Sequence, residues 1–468
     1  MKLSKHQTFE DYPYEDLLDY AGIDAIVTLD ILKKLWPKLN AKDQYLKFKN
    51  ASESYYVTPP SMAWELKNIK AEALKFIVDM EVVGMPYDVR GNQRMGSLMQ
   101  AEIALLTDTI KSQVGNINLD SGKELGDLLF GRMGLKPPMQ TKSGDDATSG
   151  EALEMLFEEN PELLWLGDIQ KRKNMASVYR SFIETYVEKF VKRDGCIHPE
   201  YNLHGTSSHR ISSDNPNLLN LPRSCYQYDI RSLYVVPEGM VFLTMDFSSC
   251  EVKILAALSR DETMIKAIRE GLDFHTFTAS MISGIPYDEI LAVLDFTKEQ
   301  LADPVNKALY KKYKEMRQNA KATTFGILYG SSINGLAMKL GITTDEAEKL
   351  VEQYFGVYPR IKDFVASSHA MAKANHYVFT PFGQRKQQFA TLPCYKGMAV
   401  ANAALRNAQN VLIQSTASTL GLMAFTEVNK RIKALGGRVM CTVRTVGGTK
   451  TTLIAGTSDR VMSKTISR

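Results

Sequence analysis

Apolar residues recur every three or four positions over long stretches of the chain, which is the period of amphipathic helices. The pattern predicts long helices over residues 62–83, 91–114 and 161–191, the last with an internal break. Apolar runs of strand length are fewer, and the two clearest cover residues 240–245 and 437–443. Residues 204–222 contain too many turn-forming residues for a helix or a strand and are expected to form a loop.

One predicted helix carries four functional side chains at intervals of four residues: Arg317, Lys321, Phe325 and Tyr329. They form a single stripe in which two cations are followed by two aromatic rings. That order suits a nucleoside triphosphate, with cations for the phosphates and ring faces for sugar and base. Gly326 and Gly330 cost a helix about 1 kcal/mol each and would let a flat base come close. An ordinary amphipathic helix with solvated cations is the alternative.

The apolar run at residues 240–245 ends in an acid, Asp246, and a helix is predicted immediately after it. A carboxylate at the end of a strand can hold a cation against a triphosphate. The alternative is an acidic residue that caps the following helix.

Composition and charge limit the kinds of partner and the compartment that fit the chain. With 468 residues and a net charge of +4, it has no global basic field, so any DNA surface must be local. Residues 170–174 contain three consecutive cations, Lys171, Arg172 and Lys173, and this cluster is one candidate for phosphate contact. Five scattered cysteines without C-x-x-C, and seven histidines without metal-ligand spacing, indicate a reducing compartment and argue against a disulfide frame or structural zinc. There is no signal peptide or bilayer-length apolar run, which predicts a soluble cytoplasmic protein without membrane contact.

The stripe and its surroundings match the pattern R-x3-K-x3-F/Y-x3-Y-G, so the chain resembles the family A DNA polymerases, in whose fingers helix this pattern occurs. The resemblance implies that the four side chains bind the incoming nucleotide and that Lys321 also takes part in catalysis. The segment from Asp246 to Lys253 resembles the family motif D-Y-S-Q-I-E-L-R. It implies Asp246 as a catalytic magnesium ligand, the Phe247 carbonyl as an assisting ligand, and Glu251 as the steric gate that rejects a ribose 2′-hydroxyl.

Further matches imply further contacts. Asp273-Phe-His275 is similar to the family's D-I-H, which implies that His275 is a triphosphate ligand. Residues 206–222 resemble the loop T-G-R-L-S-S-x-x-P-N-L-Q-N-I-P, with Ser208-His209 in place of Thr-Gly. The residues expected to contact DNA in this loop and in the helix after residue 400 are Arg210, Asn217, Asn220, Arg406, Asn410 and Gln414.

Near the start of the chain, Tyr20 and Asp24 lie four residues apart in a predicted helix. They resemble the third motif of the proofreading 3′–5′ exonuclease that precedes family A polymerase domains. The other two motifs would lie upstream of Met1, so we expect no complete nuclease site.

The resemblance covers residues 1 to about 443. It implies the α+β right-hand polymerase fold, template-directed transfer of a dNMP to a primer 3′-hydroxyl, Mg²⁺ as cofactor, and primer-template DNA and dNTPs as partners. The implied domains are an exonuclease remnant (1–45), the thumb (60–190), the palm with the first aspartate (191–260), the fingers (261–376), the continued palm (377–443) and a non-family tail (444–468).

The pattern breaks after Val443, where the family has its second catalytic aspartate and this chain continues with Arg444. The only later acid is Asp459. A hairpin around Gly447-Gly448 is still expected, with no acid at its tip. We therefore expect a polymerase truncated at both ends, encoded by a split bacteriophage gene and used in phage DNA replication. A separate polypeptide with the missing acids is an expected partner.

Three alternatives compete with this interpretation. A single-subunit RNA polymerase shares the helix and first aspartate, but Glu251 as ribose gate argues against it. A non-catalytic protein that binds primer-template DNA would explain the lost acid. A generic helical scaffold explains none of the motif order.

Overall fold

The computed structural model describes residues 13–41, 46–49, 54–57, 60–141, 144–222, 224–236, 240–245, 247–395, 397–445 and 450–458. The chain divides into two compact units, each built from three separate segments. The first unit comprises Met1–Lys75, Leu203–Ile211 and Ser248–Glu427, and the second comprises Phe76–Asn202, Ser212–Phe247 and Val428–Arg468.

Helices make up most of the described residues. In chain order they are α1 (Tyr14–Asn40), α2 (Met62–Glu65), α3 (Ala71–Val83), α4 (Val89–Val114), α5 (Gly122–Gly126), α6 (Gly150–Glu159), α7 (Leu164–Tyr179), α8 (Tyr186–Phe190), α9 (Cys250–Ser259), α10 (Glu262–Arg269), α11 (Phe274–Ser283), α12 (Tyr287–Leu294), α13 (Pro304–Tyr329), α14 (Ile333–Leu340), α15 (Thr344–Val357), α16 (Pro359–Asn375) and α17 (Ala399–Ala434).

The strands form small antiparallel sheets, which places the chain in the α+β class. In chain order they are β1 (Leu46–Lys49), β2 (Ser54–Val57), β3 (Met85–Pro86), β4 (Cys196–Ile197), β5 (Glu200–Asn202), β6 (Ser212–Asp214), β7 (Met240–Met245), β8 (Tyr377–Phe379), β9 (Arg385–Gln387), β10 (Arg438–Thr445) and β11 (Lys450–Ser458).

The core of the first unit surrounds the buried helix α9. Leu255 packs in one cluster with Tyr354, Phe364 and Leu412, which come from α15, α16 and α17. The start of α15 is set by neighbouring residues, because Thr343 and Glu346 form a reciprocal capping box there. The packing holds α9 and α17 as a rigid base, and the functional side chains of this unit project from them and from α13.

The second unit contains two apolar clusters and a three-stranded sheet in the order β10-β11-β7. In β11, Leu453 pairs with Met245 of β7, and Thr452 pairs with Val443 of β10. The expected hairpin after Val443 is therefore present, although Gly447-Gly448 themselves lie outside the described residues. The sheet fixes the end of β7, the strand that leads to Asp246.

The predicted helices are confirmed, and the predicted break in the third falls at Thr185, between a π-helical segment and α8. One expectation needs correction. The loop at residues 204–222 contains a strand, β6, because pairing with β5 satisfies the backbone of Ser212–Asp214. The helix with the functional stripe begins at Pro304, because Asp303 caps it and Pro304 fits its first turn.

Among the helices of the described residues, none combines the length and the apolar character that crossing a bilayer requires.

Candidate functional site

The stripe on α13 forms as the spacing predicts. The rings of Phe325 and Tyr329 stack with centroids 5.8 Å apart and planes 16° from parallel. Helix α13 ends directly after Tyr329, where Gly330 adopts the left-handed conformation with φ +66°. The two rings therefore form a flat aromatic surface at the C-terminal end of the helix.

Gly330 has a packing role beside the predicted one, which stays a prediction. A Cβ at this position would lie 2.6 Å from Arg406 Cβ and 2.7 Å from the Arg406 carbonyl oxygen. A Cβ on Gly326 would lie 3.3 Å from Leu336 Cδ1 of α14. Both glycines therefore permit close packing of helices within the first unit, in addition to any approach by a base.

Arg317 is paired and not free. Its Nε and one terminal nitrogen donate to the two carboxylate oxygens of Asp273, each at 2.9 Å. Asp273 also caps α11 by accepting from the Thr276 backbone amide at 2.8 Å. Burial alone would raise the pKa of Asp273, but the hydrogen bonds from Arg317 and Thr276 outweigh it and lower the pKa to about 2. The aspartate is thus charged at neutral pH and holds the guanidinium in one orientation.

His275 lies next to the stripe and is buried, with its ring centroid 5.8 Å from that of Phe325. The pKa of His275 is lowered to about 4, chiefly by burial. The charge of Asp273 opposes this shift, and the nearby cations Arg317 and Lys321 add to it. The imidazole is therefore neutral at pH 7. Its Nδ1 is buried and has no hydrogen-bond partner among the described residues.

Lys321 is the uncommitted cation of the stripe. Within the part of the chain that the structure describes, no carboxylate lies within 4 Å of its ammonium nitrogen. Its neighbours His275 and Phe325 are uncharged. An anion at this position would meet one positive charge without a competing carboxylate.

Glu251 lies in the first turn of α9 and is fully buried. It accepts a hydrogen bond from the Tyr329 hydroxyl at 2.9 Å and another from Arg210 at 2.5 Å. These contacts join the stripe, the start of α9 and the loop at residues 203–211 into one polar network. A buried carboxylate is stable only with such partners.

The sequence reasoning missed the residues that anchor this loop. Ser415 Oγ donates to the Ser208 carbonyl oxygen at 2.9 Å and accepts from His209 Nδ1 at 3.1 Å. Ser418 Oγ donates to the His209 carbonyl oxygen at 2.7 Å. The three-residue spacing of Ser415 and Ser418 on a predicted helix was the available signal. The anchors fix the residue that precedes Arg210.

Helix α17 presents Arg406, Asn410 and Gln414 at intervals of four residues, as predicted. Arg406 packs against Gly330, and Gln414 is buried. Asn410 Oδ1 is buried with no hydrogen-bond partner among the residues that the structure describes. Gln409, which the sequence reasoning did not identify, donates to the Ile327 carbonyl oxygen at 2.5 Å and so attaches α17 to α13.

The remaining predicted DNA and metal residues belong to the second unit. Asn217 and Asn220 are exposed, and Asn217 Oδ1 accepts from the Leu219 backbone amide at 3.1 Å. Phe247 is exposed. Asp246, the expected magnesium ligand, lies outside the described residues.

The cluster at residues 170–174, a candidate for phosphate contact, is largely committed within the protein. Arg172 makes two hydrogen bonds to the Asp120 carboxylate at 2.9 and 2.8 Å, and Lys171 pairs with Glu102 at 2.7 Å. Lys173 donates to the Thr148 carbonyl oxygen. These cations therefore stabilise the second unit, and any phosphate must compete with those partners.

The sheet allows a test of the expected magnesium site. Magnesium takes oxygen ligands, usually one or two protein carboxylates together with water and substrate phosphate oxygens. Asp246 follows β7 directly, but the sequence from Val443 to Leu453 in the adjacent hairpin contains no Asp or Glu and contains Arg444 and Lys450. One carboxylate with hydroxyls and cations does not fit a site for two magnesium ions.

Tyr20 and Asp24 both lie on α1, four residues apart. No residue of α1 is buried, and Asp24 is exposed. Their predicted relation to an exonuclease motif stays a prediction.

Comparison with known proteins gives a consistent result. Residues 90–444 match the model of DNA polymerase family A. The chain is 30% identical to DNA polymerase I of Chloroflexus aurantiacus over 93% of its own length and 42% of that protein. It is 28% identical to the thermostable DNA polymerase I of Thermus aquaticus over 90% of its own length and 46% of that protein. The chain thus spans less than half the length of these relatives.

A solved structure is also similar. It is the POL domain of Pol1 from M. smegmatis in complex with DNA primer-template and dNTP. The TM-score is 0.73 at 28% sequence identity, and the match covers 86% of this chain and 66% of that one.

Proposed function

The chain belongs to DNA polymerase family A and has its α+β right-hand polymerase fold, and from that premise we propose that it binds primer-template DNA and an incoming dNTP. The observation that carries the proposal is the stripe on α13. It combines the Lys321 ammonium, which no described carboxylate approaches within 4 Å, with the stacked rings of Phe325 and Tyr329, and the neutral buried imidazole of His275 on α11 lies beside it.

Each part of the site suits one part of a nucleotide. Lys321 and the oriented guanidinium of Arg317 would bind phosphate oxygens, and His275 would add a hydrogen bond without a charge. The Phe325 and Tyr329 rings would contact sugar and base. Glu251, fixed by Tyr329 and Arg210, would occupy the space that a ribose 2′-hydroxyl needs.

The proposed DNA contacts are hydrogen bonds to the minor-groove acceptors that all correct base pairs share. Asn410, whose Oδ1 is buried without a hydrogen-bond partner among the described residues, is one of the residues proposed to make them. The other proposed contacts are made by Arg210, Asn217, Asn220, Arg406 and Gln414.

The reaction implied by the family is transfer of a dNMP to a primer 3′-hydroxyl, with magnesium as the metal ion. The donor set around the end of β7 does not fit a two-ion site, so we propose that this chain alone binds its substrates without efficient extension. A phage origin, a split gene and a separate polypeptide that supplies the acids stay predictions from the sequence.

The second candidate function is that of a non-catalytic protein that binds primer-template DNA. The lack of an Asp or Glu between Val443 and Leu453, the segment where the family has an acid, favours it. Both functions require DNA binding, and they differ in whether a correct dNTP binds in the complex.

The experiment is fluorescence anisotropy with labelled primer-template DNA, titrated with the chain and then with correct or incorrect dNTP in magnesium buffer. We expect Lys321→Ala to weaken binding of the correct dNTP at least tenfold, or ~1.4 kcal/mol, with DNA binding retained. Lys311→Ala, an exposed cation of the same helix, is the matched control and should have no effect. Equal effects of both changes, or equal binding of correct and incorrect dNTPs, would contradict the proposal.

A further inference from the structure

A cluster of three potential metal ligands lies in the second unit, where a short loop leads into β4. Asp194, Cys196 and His198 each offer one ligand atom, and these atoms all lie within 4.8 Å of one another. The sequence reasoning looked for C-x-x-C and for histidine spacing and so missed the pattern D-x-C-x-H. The cluster plays no part in the proposed nucleotide site.

Both ring nitrogens of His198 face oxygen acceptors. Nδ1 lies 2.6 Å from the Glu81 carbonyl oxygen, and Nε2 lies 3.0 Å from Asp194 Oδ2. A neutral imidazole has a single N–H and can satisfy only one of them. Donation from Nδ1 to a backbone carbonyl is the arrangement that commonly orients a histidine whose Nε2 binds a metal. A cation held by Nε2 and Asp194 would satisfy both contacts.

The surroundings hold the histidine ring in place. A Cβ on Gly84, which has φ +65°, would lie 2.6 Å from the His198 ring, so the ring lies directly against the backbone at the end of α3. Strand β4, which contains Cys196, pairs with β3, and the Cys196 amide donates to Asp194 Oδ1 at 3.0 Å. Cys196 thus lies on a paired strand, His198 follows that strand directly, and Asp194 lies in the turn before it.

We propose that Asp194, Cys196 and His198 form a binding site for a divalent ion of the zinc class. One sulfur, one imidazole nitrogen and one carboxylate oxygen are the ligand types that zinc prefers, and three of them leave a fourth tetrahedral position open to solvent. Tetrahedral zinc would bring the ligand atoms to separations of roughly 3.3–3.6 Å, which needs only small side-chain rotations. Magnesium does not favour a thiolate or an imidazole, so this site is distinct from the polymerase metal site.

The test is titration of the purified, reduced chain with Co²⁺, which replaces zinc and gives a thiolate charge-transfer absorption when sulfur is a ligand. The unaltered chain should show this absorption together with the visible bands of tetrahedral Co²⁺. One equivalent of Zn²⁺ should displace the signal, and excess Mg²⁺ should not.

Three variants locate the site. Cys196→Ser should abolish the charge-transfer absorption, and Asp194→Asn should weaken Co²⁺ binding at least tenfold. Cys394→Ser, the change of an exposed free cysteine, is the matched control and should bind like the unaltered chain. Far-UV circular dichroism verifies that each variant is folded. Absence of the absorption, or its persistence in folded Cys196→Ser, would overturn the proposal and leave an ordinary ion pair between Asp194 and His198.

Discussion

Glu251 is a carboxylate and is completely buried. These two properties normally conflict, because a charged group loses its hydration on burial. The structure resolves the conflict through the donors Tyr329 and Arg210. The Glu251 contact uses one terminal nitrogen of Arg210, so the predicted contact with the minor groove falls to the other N–H donors of the guanidinium. The same residue thus connects sugar selection with the DNA-binding loop.

Glu251→Ala should reduce discrimination between dNTP and rNTP by the chain bound to primer-template DNA. The change opens space beside C2′ and removes the carboxylate that accepts from Tyr329 and Arg210. We expect the ratio of the two dissociation constants to fall roughly tenfold, which corresponds to ~1.4 kcal/mol. Fluorescence anisotropy titrations measure the ratio, and Glu262→Ala on the exposed surface is the control. An unchanged ratio would place the selection elsewhere.

His275 makes stability depend on pH. Its pKa is about 4 in the folded chain and 6.5 as the ordinary value, so between these values the unfolded state binds more protons. The contribution of His275 to the free energy of unfolding is on the order of 1–3 kcal/mol. It is complete above pH 6.5 and is lost as the pH falls toward 4. Burial also lowers the pKa values of His209 and His369, so the three add in the same direction.

The corresponding prediction is that His275→Gln reduces the loss of unfolding free energy between pH 7 and pH 5. Glutamine does not titrate, and it retains a polar group at the position. Urea unfolding at both pH values measures the difference for each protein. An identical loss in the variant would show that His275 does not titrate as described.

At the scale of elements, Gly330 determines how α13 ends against α17. Its left-handed φ would cost another residue roughly 1–2 kcal/mol, and a Cβ would contact Arg406 backbone atoms that cannot move aside. Gly341, which ends α14 with φ +64°, has no atom within 4 Å of its would-be Cβ. Both positions have a left-handed backbone conformation that strains any other residue. Only Gly330 also lacks room for a Cβ.

Gly330→Ala should therefore destabilise the chain by roughly 2–4 kcal/mol, and Gly341→Ala by roughly 1–2 kcal/mol. The midpoint of urea unfolding for each variant gives the comparison. Equal losses of unfolding free energy in the two variants would mean that the contact between the new Cβ at position 330 and Arg406 is relieved without cost.

The sequence predicted the elements better than their contacts. Periodicity located the long helices, and four-residue spacing placed Lys321 and Phe325 on one face. It could not show that Arg317 is paired with Asp273, because their 44-residue separation appears only in the folded chain. The contacts of Ser415 and Ser418 with Ser208 and His209, and the contact of His198 with Glu81, likewise join distant segments, although the spacing of the residues themselves is visible in the sequence.

At the scale of the whole molecule, the nucleotide-binding residues and the sheet that leads to the metal ligand belong to different units of the chain. The first unit contains the complete stripe, Glu251 and their partners. In the second, Asp246 follows β7, and the adjacent β10–β11 hairpin contains no acid from Val443 to Leu453. We therefore propose that substrate binding and metal-dependent extension are separable in this chain, and we expect the first without the second.

Primer extension by the purified chain tests this central claim most directly. With primer-template DNA, four dNTPs and magnesium, the chain should produce no more product than its Asp246→Ala variant. Arg444→His with Thr445→Asp should increase extension, and Arg444→His with Thr445→Asn, which lacks only the charge, should not. Robust extension by the unaltered chain that Asp246→Ala abolishes would contradict the account, because another carboxylate, such as Asp459, would then complete the site.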